Sequence, residues 1–255
     1  DEVVQRAPEA LRTMHINRGN RTIPSQYLDR LDFYMFQPGH NYEGQPEAWR
    51  LPQDFIANYP KKPMVNSEPC YEQMGASRNV YWRFTAQDCR ASVWSSILAG
   101  ASAGVTYGAH GVWNWQTSKS QGSVLGEGFD MPFRWQECLQ FAGVWDFGAI
   151  EHVLAGLGAT AGDDALAVVP AQELIDDARE AIRVARVGDR VVTYLPRTTA
   201  LKFKLDGARD WTATVLDMED KRIAKLPVRD NGDGTVRVAQ HPFEHDALVI
   251  LTPGR

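Results

Sequence analysis

Two carboxylates four residues apart, Glu68 and Glu72, stand in the run KPMVNSEPCYE at residues 62–72. Pro63, Met64 and Val65 supply a short β-forming stretch leading to Glu68, and Pro69 stiffens the backbone just beyond it. A carboxylate on a stiff strand-to-loop junction is placed as a nucleophile or general acid must be. Parallel-barrel enzymes keep their chemistry at such strand ends. The competing reading is a solvated loop glutamate, because charged side chains are mostly exposed. Residues four apart at a turn need not enter one cleft, so one of the two is expected to be structural. Glycosidases set two carboxyl groups across the scissile bond, one protonating the leaving oxygen and one attacking or activating water. Glu68 fits the second task.

Other polar and aromatic residues follow strand-like runs in the same way. His40 comes after QPG and His110 after YGA, both positions expected at one mouth of a barrel. Each alone is compatible with a hydrogen-bonded structural role. With His15 they would make scattered single ligands without HxH or HExxH spacing, so sugar hydroxyls are the expected partners and no metal or organic cofactor is called for. Trp113 and Trp115 flank Asn114 and would face the same way on an extended segment, as a core wall or as a stacking surface for a sugar ring. Tyr71 and Tyr107 add hydroxyls that either tune a carboxylate or pack. Cys70, Cys89 and Cys138 are odd in number and widely spaced, which predicts buried free thiols rather than a disulfide framework.

These residues need a scaffold of strands and helices. Residues 11–16, ending near His15, residues 31–36 (LDFYMF), 63–66 and 104–107 read as strands. Residues 85–101 read as a helix with Ala86, Cys89, Val93, Ile97 and Ala101 on one face and Thr85 with Asp88 as a capping pair. A further helix is expected over residues 132–157. Strand, helix, strand with chemistry after the strands is the pattern of a parallel α/β sheet or barrel. The glycines of AGLGATAGDD, residues 155–164, mark a boundary, giving regions 1–160 and 161–255. In the second region the period becomes two, with short strands expected at 191–195, 201–205, 211–216, 236–239 and 248–251. Residues 172–181 read as an exposed helix or connector, and DNGDG at 230–234 as a hairpin turn rather than a calcium loop, since the position for a bidentate glutamate holds His241.

The chain of 255 residues is 44% hydrophobic and 10% aromatic, enough to bury a core. A net charge of -5 without a dense basic run offers nothing to a nucleic-acid backbone. No apolar run approaches the roughly 18–20 residues needed to span a bilayer, and no apolar leader core opens the sequence. Neither nucleic acid nor membrane is an expected partner.

The ordered segments LDFYMFQPGHN, KPMVNSEPCYE and RASVWSSILAGASAGVTYGAHGVWNWQ resemble those of the apiosidase-like glycoside hydrolases, bacterial (β/α)8 TIM-barrel enzymes with an appended collagen-binding-like β-sandwich. The resemblance matches these segments to the sixth, seventh and eighth barrel strands. It implies α/β plus all-β architecture: the C-terminal half of the barrel, strands 5–8, over residues 1–160, then a small antiparallel β-sandwich. It further implies Glu68 as catalytic nucleophile, and Gln37, His40, Tyr71, His110 and Trp113 around the sugar. His15 and Trp115 join these as candidate substrate contacts. The family's acid/base carboxylate, at the end of the fourth strand, would fall upstream of Asp1. A half barrel leaves open strand edges and a bare interior, so an N-terminal companion chain is expected to complete it; self-association is compatible too. The implied activity is retaining, exo-acting release of a pentofuranose such as apiose or arabinofuranose from a plant or bacterial glycan, in a secreted or periplasmic setting, with a cytoplasmic one also open. A non-catalytic carbohydrate-binding protein is the alternative, and a literal collagen-binding role a third.

Overall fold

The computed structural model describes residues 2–77, 80–118, 130–159, 168–177, 179–205 and 210–254. The expected boundary at 155–164 lies partly outside the described residues. In the first region helix α1 (Glu2–Arg6) precedes strand β1 (Tyr34–Phe36), helix α2 (Glu47–Asn58) and strand β2 (Met64–Asn66). A hairpin follows, β3 (Gly75–Ser77) and β4 (Val80–Arg83), then helix α3 (Ala86–Leu98), strand β5 (Gly104–Val105) and three short helices, α4 (Trp135–Cys138), α5 (Ala142–Gly148) and α6 (Ile150–Gly156). β1, β2 and β5 form one parallel sheet in that order, with Phe36 opposite Asn66 and Asn66 opposite Val105. The β–α–β order read from the sequence is present, with α2 and α3 as the crossovers that parallel strands require.

β2 buries Met64 and Asn66 and half-buries Val65, as expected for a strand paired on both sides. α3 begins with the capping box foreseen from Thr85 and Asp88: the Thr85 hydroxyl accepts from the Asp88 N–H, and the Asp88 carboxylate accepts from the Thr85 N–H at 2.8 Å. Its hydrophobic and small residues are buried nearly all round, because it lies between the parallel sheet and the second region. Val93, Trp94, Ile97 and Leu98 share a core with Val187, Val192, Tyr194 and Leu248.

The second region is antiparallel. Strands β6 (Val168–Pro170), β7 (Arg183–Val187), β8 (Arg190–Leu195), β9 (Leu201–Lys204), β10 (Trp211–Asp217), β11 (Ile223–Leu226), β12 (Val228–Asp230), β13 (Thr235–Val238) and β14 (Ala247–Pro253) build two sheets. One has the order β11-β10-β14-β8-β7-β6 and the other β12-β13-β9. Val191, Leu195, Val215, Val249 and Leu251 of the first meet Leu201, Phe203, Val236 and Val238 of the second in one core. The period of two was therefore a sound guide, and the DNGDG run does turn β12 into β13.

Four local expectations are corrected. Residues 11–16 are not a strand: they run beside residues 32–37 but are tied largely through side chains, with the Asp32 carboxylate accepting from the Arg12 N–H at 2.6 Å and the Gln37 amide donating to the Ile16 carbonyl at 2.6 Å. The expected helix over 132–157 is three helices, because α5 must begin afresh for the Gly143 N–H to reach Glu72 at 2.9 Å. Among the described residues of 172–181 a 3-10 turn, Gln172–Leu174, stands in place of the exposed helix, leaving the connector reading, and Leu174 and Ile175 are buried. Residues 111–115 form a turn instead of an extended segment, with Trp115 at φ 50°, so Trp113 and Trp115 do not form one wall.

Candidate active site

Two loops leaving the same ends of β1 and β2 bring the candidate residues together. The Ser67 N–H donates to the Phe36 carbonyl at 2.9 Å, and the Gly39 N–H to the Glu68 carbonyl at 3.2 Å, so the loops are cross-tied just past the strands. Asn66, fully buried, accepts from the Glu68 N–H at 3.3 Å and donates to the Ser96 hydroxyl at 2.8 Å. That fixes the Glu68 backbone to α3. Asn66 carries a sequence signal of its own, a polar side chain closing an otherwise apolar strand.

The Glu68 carboxylate is gripped at both oxygens. His40 Nε2 lies 2.7 Å from Oε1 and His15 Nε2 lies 3.2 Å from Oε2. A carboxylate only accepts, so each imidazole presents its Nε2–H to it. The hydrogen bond from His40 holds the Glu68 carboxyl below its ordinary pKa; partial burial opposes this, and the charges of His40 and His15 reinforce it. Glu68 retains a quarter of its side-chain exposure, so it is ionised, oriented and open to a ligand.

Tyr71 stacks on His40 with ring centroids 4.1 Å apart. Burial first, and the Glu68 charge second, push its hydroxyl up to about 12, so it stays a protonated donor. Gly108 allows this close fit: a Cβ there would lie 2.1 Å from the Tyr71 ring. Gln37 is turned toward the chain itself, since its amide anchors Ile16 and thereby the loop carrying His15.

Glu72 does not join Glu68. It is buried, its Oε2 accepting from the Tyr107 hydroxyl at 2.6 Å and from the Gly143 N–H at 2.9 Å, while its backbone bridges to Ala109. Burial raises its pKa and these two hydrogen bonds partly offset the rise. Glu72 is the structural member of the pair.

His110 is buried, with Nε2 donating to the Asp130 carbonyl and Nδ1 accepting from the Trp113 indole N–H at 3.2 Å. Both ring nitrogens are occupied, and burial lowers its pKa. Trp113 remains partly exposed beside it, while the more exposed Trp115 lies flat on Trp135 at 4.7 Å. His15, His40, Glu68 and Tyr71 thus converge on one spot, and Gln37 anchors the loop that carries His15. His110 and Trp113 form a hydrogen-bonded pair after β5, near enough to His40 for the two imidazoles to interact electrostatically, and Trp115 stacks on Trp135. Cys70, Cys89 and Cys138 are all buried free thiols, as expected. Among the described residues no group of three His, Cys, Asp or Glu side chains could hold a metal ion, and no helix is long and apolar enough to cross a membrane.

An ionised carboxylate at a strand end, oriented by two imidazoles and flanked by a protonated tyrosine, can attack an electrophilic carbon or activate water. The family model of the apiosidase-like catalytic domain matches residues 1–160. The chain belongs to the apiosidase-like family. Two solved structures share the fold of this apiosidase-like chain. One, a glycoside hydrolase, has a TM-score of 0.70 at 21% identity over 91% of this chain and 55% of its own. The other, a glycoside hydrolase family 5 protein from Bacteroides vulgatus, has a TM-score of 0.75 at 22% identity over 95% of this chain and 56% of its own. The apiosidase-like chain therefore spans just over half the length of the structures it matches. Comparison with curated proteins returns no match.

Proposed function

We propose that this chain is the nucleophile-bearing part of a retaining, exo-acting glycoside hydrolase that releases a terminal pentofuranose, apiose or arabinofuranose, from a plant or bacterial glycan. The two-sided grip on the Glu68 carboxylate carries the reading, together with membership of the apiosidase-like family. In this reading Glu68 attacks the anomeric carbon through an oxocarbenium-like transition state and forms a glycosyl-enzyme intermediate, which water then hydrolyses. Each carboxylate oxygen offers two lone pairs, so one hydrogen bond to an imidazole still leaves a pair for attack. His40 and His15 fix the orientation, and Tyr71 offers its hydroxyl beside the sugar. Gln37 acts through the His15 loop rather than on the sugar.

The parallel strands would be the C-terminal half of a (β/α)8 barrel, residues 1–160, and the two antiparallel sheets a β-sandwich, residues 161–255. An N-terminal companion chain would supply the other strands and the acid/base carboxylate. Supporting this, β1 and β5 each pair on one side only among the described residues, and an open apolar groove of about 650 Å³ beside β5 is lined by Ile97, Val105, Phe147 and Leu154. Open strand edges and apolar grooves of this kind call for a covering element.

Glu68→Gln in the assembled protein tests the reading. On a panel of aryl pentofuranosides, turnover is expected to fall on the order of 10⁴-fold while sugar binding persists, and the first-formed product should keep its anomeric configuration by NMR. Unchanged turnover in E68Q would remove Glu68 from the chemistry. A wild-type protein that binds sugars without releasing any is instead a carbohydrate-binding protein.

A further inference from the structure

Farther along the two chain segments that carry His40 and Glu68 stands a second aromatic pair. Two residues past His40, Tyr42 opens a short 3-10 turn, Tyr42–Gly44. The turn is rigid: the Gln45 amide donates to the Asn41 carbonyl at 2.9 Å and to the Gly39 carbonyl at 3.3 Å, and a Cβ on Gly44 would meet the Pro38 carbonyl oxygen at 2.8 Å. The loop after β2 passes Glu68 and Tyr71 and then projects the β3–β4 hairpin, which carries Trp82. Arg83 beside it is anchored, donating to the Gln73 carbonyl at 2.6 Å and the Met131 carbonyl at 2.8 Å and lying over the Phe133 ring.

Tyr42 and Trp82 meet with ring centroids 5.0 Å apart and planes at 90°. They are nevertheless 51% and 46% exposed. A perpendicular contact uses one face and one edge, leaving other ring surface open. Two large aromatics held half in water by two separately braced loops are poorly explained as core. Their chemistry suits a sugar: the CH face of a pyranose or furanose packs on the rings, while the phenol and indole N–H at the edges meet hydroxyls.

We propose that Tyr42 and Trp82 form a second sugar-binding site, on the leaving-group side, for the glycan chain that follows the sugar held at Glu68. The choice of a glycan as ligand rests on the glycoside hydrolase reading. The site makes the enzyme prefer a polymeric or branched substrate over a short glycoside.

The test is native affinity electrophoresis of the full protein, in an E68Q background that prevents hydrolysis, through gels containing arabinan, arabinoxylan or pectin. W82A and Y42A should bind at least about tenfold more weakly than the E68Q parent, with unchanged circular dichroism, while W82F keeps most of the retardation. The proposal is overturned when W82A and Y42A migrate as the parent does in every gel, or when the parent is retarded by none. Sugar release by the wild-type protein is scored separately. A protein that releases no sugar yet binds polymer through Trp82 loses the hydrolase reading and keeps this site; one that hydrolyses glycan while W82A binds normally does the reverse.

Discussion

His40 Nε2 stands 2.7 Å from Glu68 Oε1 across 28 residues of sequence. The distance follows from register: β1 and β2 are parallel with Phe36 opposite Asn66, so the loops that leave them start side by side. His40 is the largest cause of the lowered Glu68 pKa. A depressed carboxylate pKa contributes stability that is present above the unfolded value, near 4.5, and is lost as pH falls through the folded value.

His40→Ala should therefore shift the acidic limb of kcat/KM to higher pH, as the Glu68 carboxyl climbs back, and lower the plateau by about 10²-fold through lost orientation. A pH–rate profile of the variant against wild type measures both. An unmoved acidic limb would show that some other group sets it.

Glu72 behaves in the opposite sense. Burial raises its pKa above the ordinary 4.5, so the folded protein binds more protons than the unfolded chain as pH rises from there. Its contribution to stability is full below 4.5 and declines as pH rises through the folded value. Glu72→Gln should flatten that decline in a plot of Tm against pH, because the amide cannot ionise. The same slope in both proteins would refute the assignment.

Gly108→Ala would push a methyl into the Tyr71 ring, 2.1 Å from the new Cβ. Overpacking of this kind costs about 1–3 kcal/mol, and displacing Tyr71 from His40 should cut kcat by roughly 10-fold or more. Thermal melts and steady-state kinetics separate the two effects. Wild-type activity in G108A would show that the stack on His40 is dispensable.

Arg90 and Asp246 tie the two regions together. The Arg90 guanidinium donates to Asp246 at 2.7 Å from Nη2 and 3.1 Å from Nε, and to Asp146 at 2.7 Å, while the Tyr194 hydroxyl reaches Asp246 at 2.9 Å. Asp246 is fully buried. Asp246→Ala leaves the guanidinium without its main partner and should cost about 3–5 kcal/mol, seen as a Tm fall of about 10 °C. A melt within a degree or two of wild type would mean that the hydrophobic contact of α3 with β8 suffices.

The sequence by itself determined the local features. The capping box of Thr85 and Asp88, the apolar residues of α3, the turn at DNGDG and the places of strands β8, β10 and β14 are set by neighbours a few residues apart, and all were legible. Glu68 stood out for the same reason, on a stiff junction between Val65 and Pro69. The tertiary structure decided what depends on distant partners. Helix α5 begins anew at Ala142, which frees the Gly143 N–H for Glu72, 71 residues away, and Gln37 is spent on Ile16 because that loop folds back beside β1. Trp113 and Trp115 part company because a turn, held by the Gln116 N–H on the Gly111 carbonyl at 2.8 Å, replaces the extended segment their spacing suggested. Spacing fixes only which side chains can share a face of a known element; which element forms, and which donor meets which acceptor, is settled when remote strands come into register and buried polar groups must find partners.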